Sequence, residues 1–132
     1  MSIQKINLGN NNELIIRTRN ESFSNKYRRN IYSKSISEIL LRNSEQLLCI
    51  GLCSSNTYTG SKEFIQYTPQ CILFFKGNST TKTYYVDRVF DVEMMQSLVL
   101  TKDEISEKYN VELPEEIKDF RTQKKYMKQK VC

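Results

Sequence analysis

The sequence predicts an α+β fold: two layers, with a mostly antiparallel sheet of about four strands, helices on one face and a helical C-terminus. Three observations carry this expectation. Runs rich in β-branched and aromatic residues recur at 14–19, 46–53, 71–75 and 83–90. Apolar residues between 31 and 40 fall at helical spacing. After Val92 the pattern changes to helix-start signals. At 132 residues the chain has the usual size of one domain, so a single α+β domain spanning 1–132 with a basic C-terminal helix is expected.

Met1 to Asn12 is polar and ends in Asn10-Asn11-Asn12, a turn signal, after which Leu14-Ile15-Ile16-Arg17-Thr18-Arg19 reads as the first strand. Ile31, Tyr32, Ile36, Ile39 and Leu40 then suggest a helix from about Asn30, a good N-cap, to about Asn43. Residues 20–29 become a polar, basic loop. Gln46 to Cys53 is apolar on both faces and reads as a buried central strand. Ser54 to Pro69 is rich in turn formers and reads as irregular, with room for a short helix around Phe64, Ile65 and Tyr67.

Cys71-Ile72-Leu73-Phe74-Phe75 and the run from Thr83 to Phe90 flank a polar loop containing Gly77-Asn78, which predicts an antiparallel hairpin. Thr101-Lys102-Asp103-Glu104 is a capping box, and the helix it opens should reach about Tyr109. Pro114 sits just inside the start of an expected last helix, with Glu115 and Glu116 in its first turn. The resulting order is distantly similar in topology to the Alba-type nucleic-acid-binding fold, with no shared motif; that likeness implies a hairpin and basic strand ends against the nucleic-acid backbone.

Charge is uneven. The whole chain carries +5, with the excess of Lys and Arg in the first third and in the tail from Lys118 onward, while 93–117 is acidic. Neither a signal peptide nor an apolar span of roughly 20 residues is present, which predicts an intracellular, reducing compartment, cytoplasmic or nuclear, and no membrane. Cys49, Cys53, Cys71 and Cys132 are then expected as thiols, and Cys49 and Cys53, about 13 Å apart on one strand, are too distant for a bridge. The chain has no Ala, His or Trp and much Asn, Ile and Lys, a bias of A+T-rich coding sequence such as that of a virus, a phage, a protist or a low-G+C bacterium.

The basic run Lys26-Tyr27-Arg28-Arg29 interleaves cations and an aromatic ring, as phosphate pairing with base stacking requires, and Arg17 and Arg19 leave one face of the neighbouring strand. On the expected last helix Lys118, Arg121, Lys125 and Lys128 recur at spacings of three and four and form a stripe able to track phosphates. Each group also fits a plainer role: tyrosines on the core with solvated arginines in the first, a solvated helix face complementing the dipole in the second. Asp87, Asp91 and Glu93 alternate along one strand and suit a divalent cation, or simply the solvent face of an edge strand. Lack of His removes the commonest general base, and the isolated glycines form no phosphate loop.

The leading expectation is therefore a non-enzymatic protein, without cofactor or metal, that binds nucleic acid, RNA or a ribonucleoprotein, through Arg17, Arg19, 26–29 and the last helix. The alternative is a protein-binding module, either a small subunit of an assembly or a viral or phage inhibitor. A nuclease built on the three acids ranks third.

Overall fold

The computed structural model describes residues 1–24 and 31–119. Strands hold 65% of these residues and helix 7%, which overturns the α+β expectation: the described residues are mostly β, with one short helix among them. The topological similarity to the Alba-type fold falls with it. The chain divides into two compact units, Met1–Phe64 and Ile65–Cys132.

In the first unit, β1 (Ser2–Gly9), β2 (Asn12–Ser24), β3 (Ile31–Asn43), β4 (Gln46–Asn56) and the start of β5 (Ser61–Tyr67) follow one another, each antiparallel to its predecessor. Asn10 and Asn11, at φ 52° and 64°, form the two-residue turn between β1 and β2. Both central residues of such a turn need positive φ, which Asn tolerates. The polar segment before it, to which the sequence reading gave no element, is a strand. Among the described residues β1 pairs only with β2 and buries only Leu8, so an outer strand of this kind needs few apolar side chains.

Residues 31–43 correct the sequence reading most sharply, since β3 replaces the expected helix. Its thirteen residues pair without interruption from Asn12 opposite Asn43 to Ser24 opposite Ile31. In a strand successive side chains alternate faces. That places Tyr32, Lys34, Ile36 and Glu38 on one face and Ser33, Ser35, Ser37 and Ile39 on the other. Serines of the second face bond across strands, Ser37 Oγ to Thr18 Oγ1 at 2.8 Å and Ser35 Oγ to Ser55 Oγ at 2.7 Å. Ile39, Leu40 and Leu41 are all buried. A bulge at Ile50, between the Ile39–Gly51 and Leu40–Cys49 pairs, turns that extra residue into the core.

β4 is a strand as expected, but its burial was misjudged: only Ile50 and Cys53 are buried, while Leu47, Leu48, Cys49 and Leu52 are exposed. The segment 54–69 read as irregular contains β5, which meets β4 at Ser55–Lys62. Glu63 extends the junction by accepting from the amide and hydroxyl of Ser54 at 2.8 and 2.9 Å.

In the second unit the expected hairpin forms from β6 (Cys71–Asn78) and β7 (Thr83–Asp91), with a bulge that leaves Asp87 as the extra residue. Cys71 to Phe75 are buried on both faces. Since β6 occupies one edge of β7, the other edge takes both β8 (Gln96–Leu98), antiparallel to 89–91, and β9 (Ile117–Lys118), parallel to Tyr84 and Tyr85. Gly77 is obligatory in this hairpin because a Cβ there would collide with the Thr83 carbonyl oxygen and with Tyr84.

The capping box produces α1 (Lys102–Tyr109): Thr101 Oγ1 accepts from the Glu104 amide, and the Glu104 carboxylate accepts from the Thr101 amide. Ile105 and Tyr109, one turn apart, are its buried face. Asn110, left-handed at φ 55°, ends it. The last helix does not begin at Pro114. Instead the Pro114 carbonyl closes a turn by accepting from the Ile117 amide, and Ile117 buries its side chain as β9 pairs with β7. No helix among the described residues is long and apolar enough to cross a membrane.

Candidate nucleic-acid interface

Alternation along β2 places Arg17, Arg19, Glu21 and Phe23 on one face, and the register sets Tyr32, Lys34 and Glu38 of β3 on the same face. Arg17 and Arg19 are not buried: Arg17 is exposed, and Arg19 extends toward solvent beside Glu21. Both have acidic neighbours that the sequence reading did not see. Arg19 Nε lies 3.3 Å from Glu21 Oε1, and Arg17 stands opposite Glu38. Further along, Arg42 reaches Glu13 at 3.9 Å. Such exposed pairs add little stability, but they neutralise much of the field that the arginines would present.

The net positive charge is concentrated elsewhere. Residues 25–30 and 120–132 hold eight of the twenty Lys and Arg and none of the fifteen Asp and Glu, so the described residues carry a net charge of −3. Lys26, Tyr27, Arg28 and Arg29 lie outside the described residues, as do Arg121, Lys125 and Lys128. Lys118 is exposed on β9, beside Tyr85, and not on a helix.

The ends of β2 and β3 that flank 25–30 carry an aromatic cluster. Phe23 faces Tyr32 with ring centroids 5.8 Å apart, and Tyr58 meets Tyr32 edge-on at 4.8 Å and 79°. Tyr58 reaches this position because its turn is held at two points. The Asn56 side chain accepts from the Tyr58 amide at 2.8 Å, forming an Asx turn. Thr57 then clamps β3: its amide and hydroxyl donate to the Ser33 carbonyl, and its hydroxyl accepts from the Ser33 amide at 2.8 Å. Tyr32, next in sequence, is thereby aligned with Tyr58. Phe23 is 37% exposed and Tyr58 50%. Sequence reasoning named Tyr27 and Tyr32 but passed over Phe23 and Tyr58; the readable sign for Tyr58 was the Asn-Thr pair before it, a turn former.

The three acids do not assemble into a site. Asp87 is engaged by Lys76 at 3.7 Å and by Arg88 at 3.3 Å, while Glu93 is exposed. Asp91 is buried and accepts from Tyr109 Oη at 2.6 Å and from the Met94 amide at 2.8 Å, tying α1 to the end of β7. Burial alone would raise the Asp91 carboxyl, but the Tyr109 and Met94 bonds and the charge of Lys108 hold it below the ordinary value. Tyr109 is driven up, first by burial and then by the carboxylate it serves. No group of three or more His, Cys, Asp or Glu converges to hold a metal ion among the described residues.

Cys49 is exposed on β4, whereas Cys53 and Cys71 are buried. Burial pushes the Cys71 thiol up, only partly offset by its bond with Thr68. Cys132 lies outside the described residues. No protein-family model, curated protein or solved structure matches this chain.

Proposed function

We propose that this chain is a non-enzymatic nucleic-acid-binding protein, with RNA or a ribonucleoprotein as its partner. The observation that supports this most is a juxtaposition: the acid-free run Asn25-Lys26-Tyr27-Arg28-Arg29-Asn30 joins the two strand ends that carry Phe23 and Tyr32, with Tyr58 against them. Cations neutralise phosphates and rings accept bases, and the chain links the cationic run directly to the strand ends that carry the rings. The second acid-free segment, 120–132, adds cations of the same sign. Asp87 and Asp91 are used by the fold, which favours binding over metal-assisted hydrolysis at that strand.

Fluorescence anisotropy with labelled RNA across a salt series tests the proposal. Replacing Arg28 and Arg29 together, or Lys125 and Lys128 together, with Gln should weaken binding and lower the slope of log affinity against log salt by about one unit for each phosphate no longer neutralised. A parent protein that binds no RNA at physiological salt, or double variants that both bind as the parent does, would refute it. A second reading, a protein-binding module, is favoured by β4, where Leu47, Leu48 and Leu52 are 42–57% exposed. Loss of a stoichiometric protein complex on changing these leucines to Ser would support that reading instead.

A further inference from the structure

We infer that the Phe23–Tyr32–Tyr58 cluster is a stacking platform that makes the protein select single-stranded over double-stranded nucleic acid, an inference that rests on the nucleic-acid reading above. In a duplex the faces of the bases are covered by their neighbours, and only edges and backbone remain accessible. An unpaired base offers both faces to an aromatic ring.

The cluster is arranged for this use. Tyr58 is edge-on to Tyr32, so that contact covers an edge and leaves the faces of one of the two rings uncovered by the other. Half of Tyr58 is exposed although its backbone is held by Asn56 and by the Thr57–Ser33 clamp. A ring carried on a backbone already held in place loses little entropy when a nucleobase settles on it. Phe23, tilted 33° from Tyr32 at the other side, extends the surface toward a second base. Lys34 lies on the same face, two positions along β3 from Tyr32, within reach of a phosphate beside a stacked base, while Arg19 is held by Glu21. The opposite face carries the Thr18–Ser37 and Ser35–Ser55 hydroxyl pairs, whose bonding to one another leaves the aromatic face as the distinctive surface of this ribbon.

The test uses the full chain with a labelled twelve-residue oligouridine, a deoxythymidine oligomer of equal length and an RNA duplex of equal length. The single strands should bind at least tenfold more tightly than the duplex. Tyr58→Leu should reduce single-strand affinity about tenfold, Tyr58→Phe should retain it, and neither should change the salt slope, because a ring is removed and every phosphate pairing stays. Circular dichroism of the variants checks that the fold is kept. Phe23→Leu supplies a second, independent reduction. Equal binding of duplex and single strand, or Tyr58→Leu and Phe23→Leu both binding as the parent does, overturns the platform while leaving the nucleic-acid reading intact. Binding of none of the three probes overturns both. So does a protein complex abolished by Tyr58→Leu in a chain that binds no probe, which would make the rings anchors for a protein.

Discussion

Replacing Tyr109 with Phe removes one oxygen and changes almost nothing else, so it measures what the buried bond between α1 and β7 contributes. Tyr109 and Asp91 are 7% and 4% exposed, and their 2.6 Å bond runs from a neutral donor to a carboxylate. Losing a hydrogen bond to a charged group costs about 1.5–3 kcal/mol, because Asp91 stays buried with the Met94 amide but without its phenol. For 132 residues, unfolding entropy of roughly 2.1 cal/mol/K per residue gives about 280 cal/mol/K in all. A decrement of about 2 kcal/mol then lowers Tm by about 7 °C.

The difference between parent and variant should depend on pH in a defined sense. Asp91 ionises below its ordinary value of 3.8 in the folded chain, so its contribution is complete above that pH and is lost as pH falls through the lower folded-state value. Tyr109 is shifted the opposite way, from 10.0 upward, so the phenol's contribution is complete below pH 10 and is lost as pH rises through the folded-state value. Thermal melts followed by far-UV circular dichroism from pH 7 down to pH 2 check this. A variant within about 0.5 kcal/mol of the parent at pH 7 would refute the reasoning. So would a decrement as large at pH 2 as at pH 7.

Gly77→Ala places a methyl group against the Thr83 carbonyl and Tyr84, so it should cost about 3 kcal/mol in urea denaturation; a cost below about 0.5 kcal/mol would show that the β6–β7 hairpin yields freely. In the native protein iodoacetamide should label Cys49 before Cys53 and Cys71, because it is the exposed thiol of the three and burial keeps Cys71 protonated; peptide mass mapping over time would contradict this if all three were modified together.

At the candidate interface the legible part was local. Period-two alternation was enough to put Arg17 and Arg19 on one face, and the run 26–29 announces its own charge. What the alternation could not supply was the neighbour: Glu38 opposite Arg17 and Tyr32 opposite Phe23 follow from the β2–β3 register. Tyr58 is twenty-six positions from Tyr32 in sequence, and the β3–β4 pairing that reaches Lys34–Asn56 together with the Thr57–Ser33 clamp brings the two rings together.

The same division holds for the fold. Elements whose signals lie within a few residues could be read directly from the chain: the Asn10-Asn11 turn, the β6–β7 hairpin, whose turn Asn78 opens by accepting from the Thr80 and Thr81 amides while Gly77 stays in the strand opposite Tyr84, and the helix opened by Thr101 and Glu104. Each is decided by backbone dihedral preference or by a hydrogen bond a few positions away. The state of 31–43 was open at that level, because Ile36, Ile39 and Leu40 satisfy a helical period while Ser33, Ser35 and Ser37 satisfy a period of two. Partners distant in sequence settle it: thirteen residues of pairing with β2, hydroxyl bonds to Thr18 and Ser55, and burial of three consecutive apolar residues favour the strand. Likewise Ile117 became a strand residue because β7 has an edge open beside Tyr84, and an open edge is a property of the assembled sheet that no window of sequence contains.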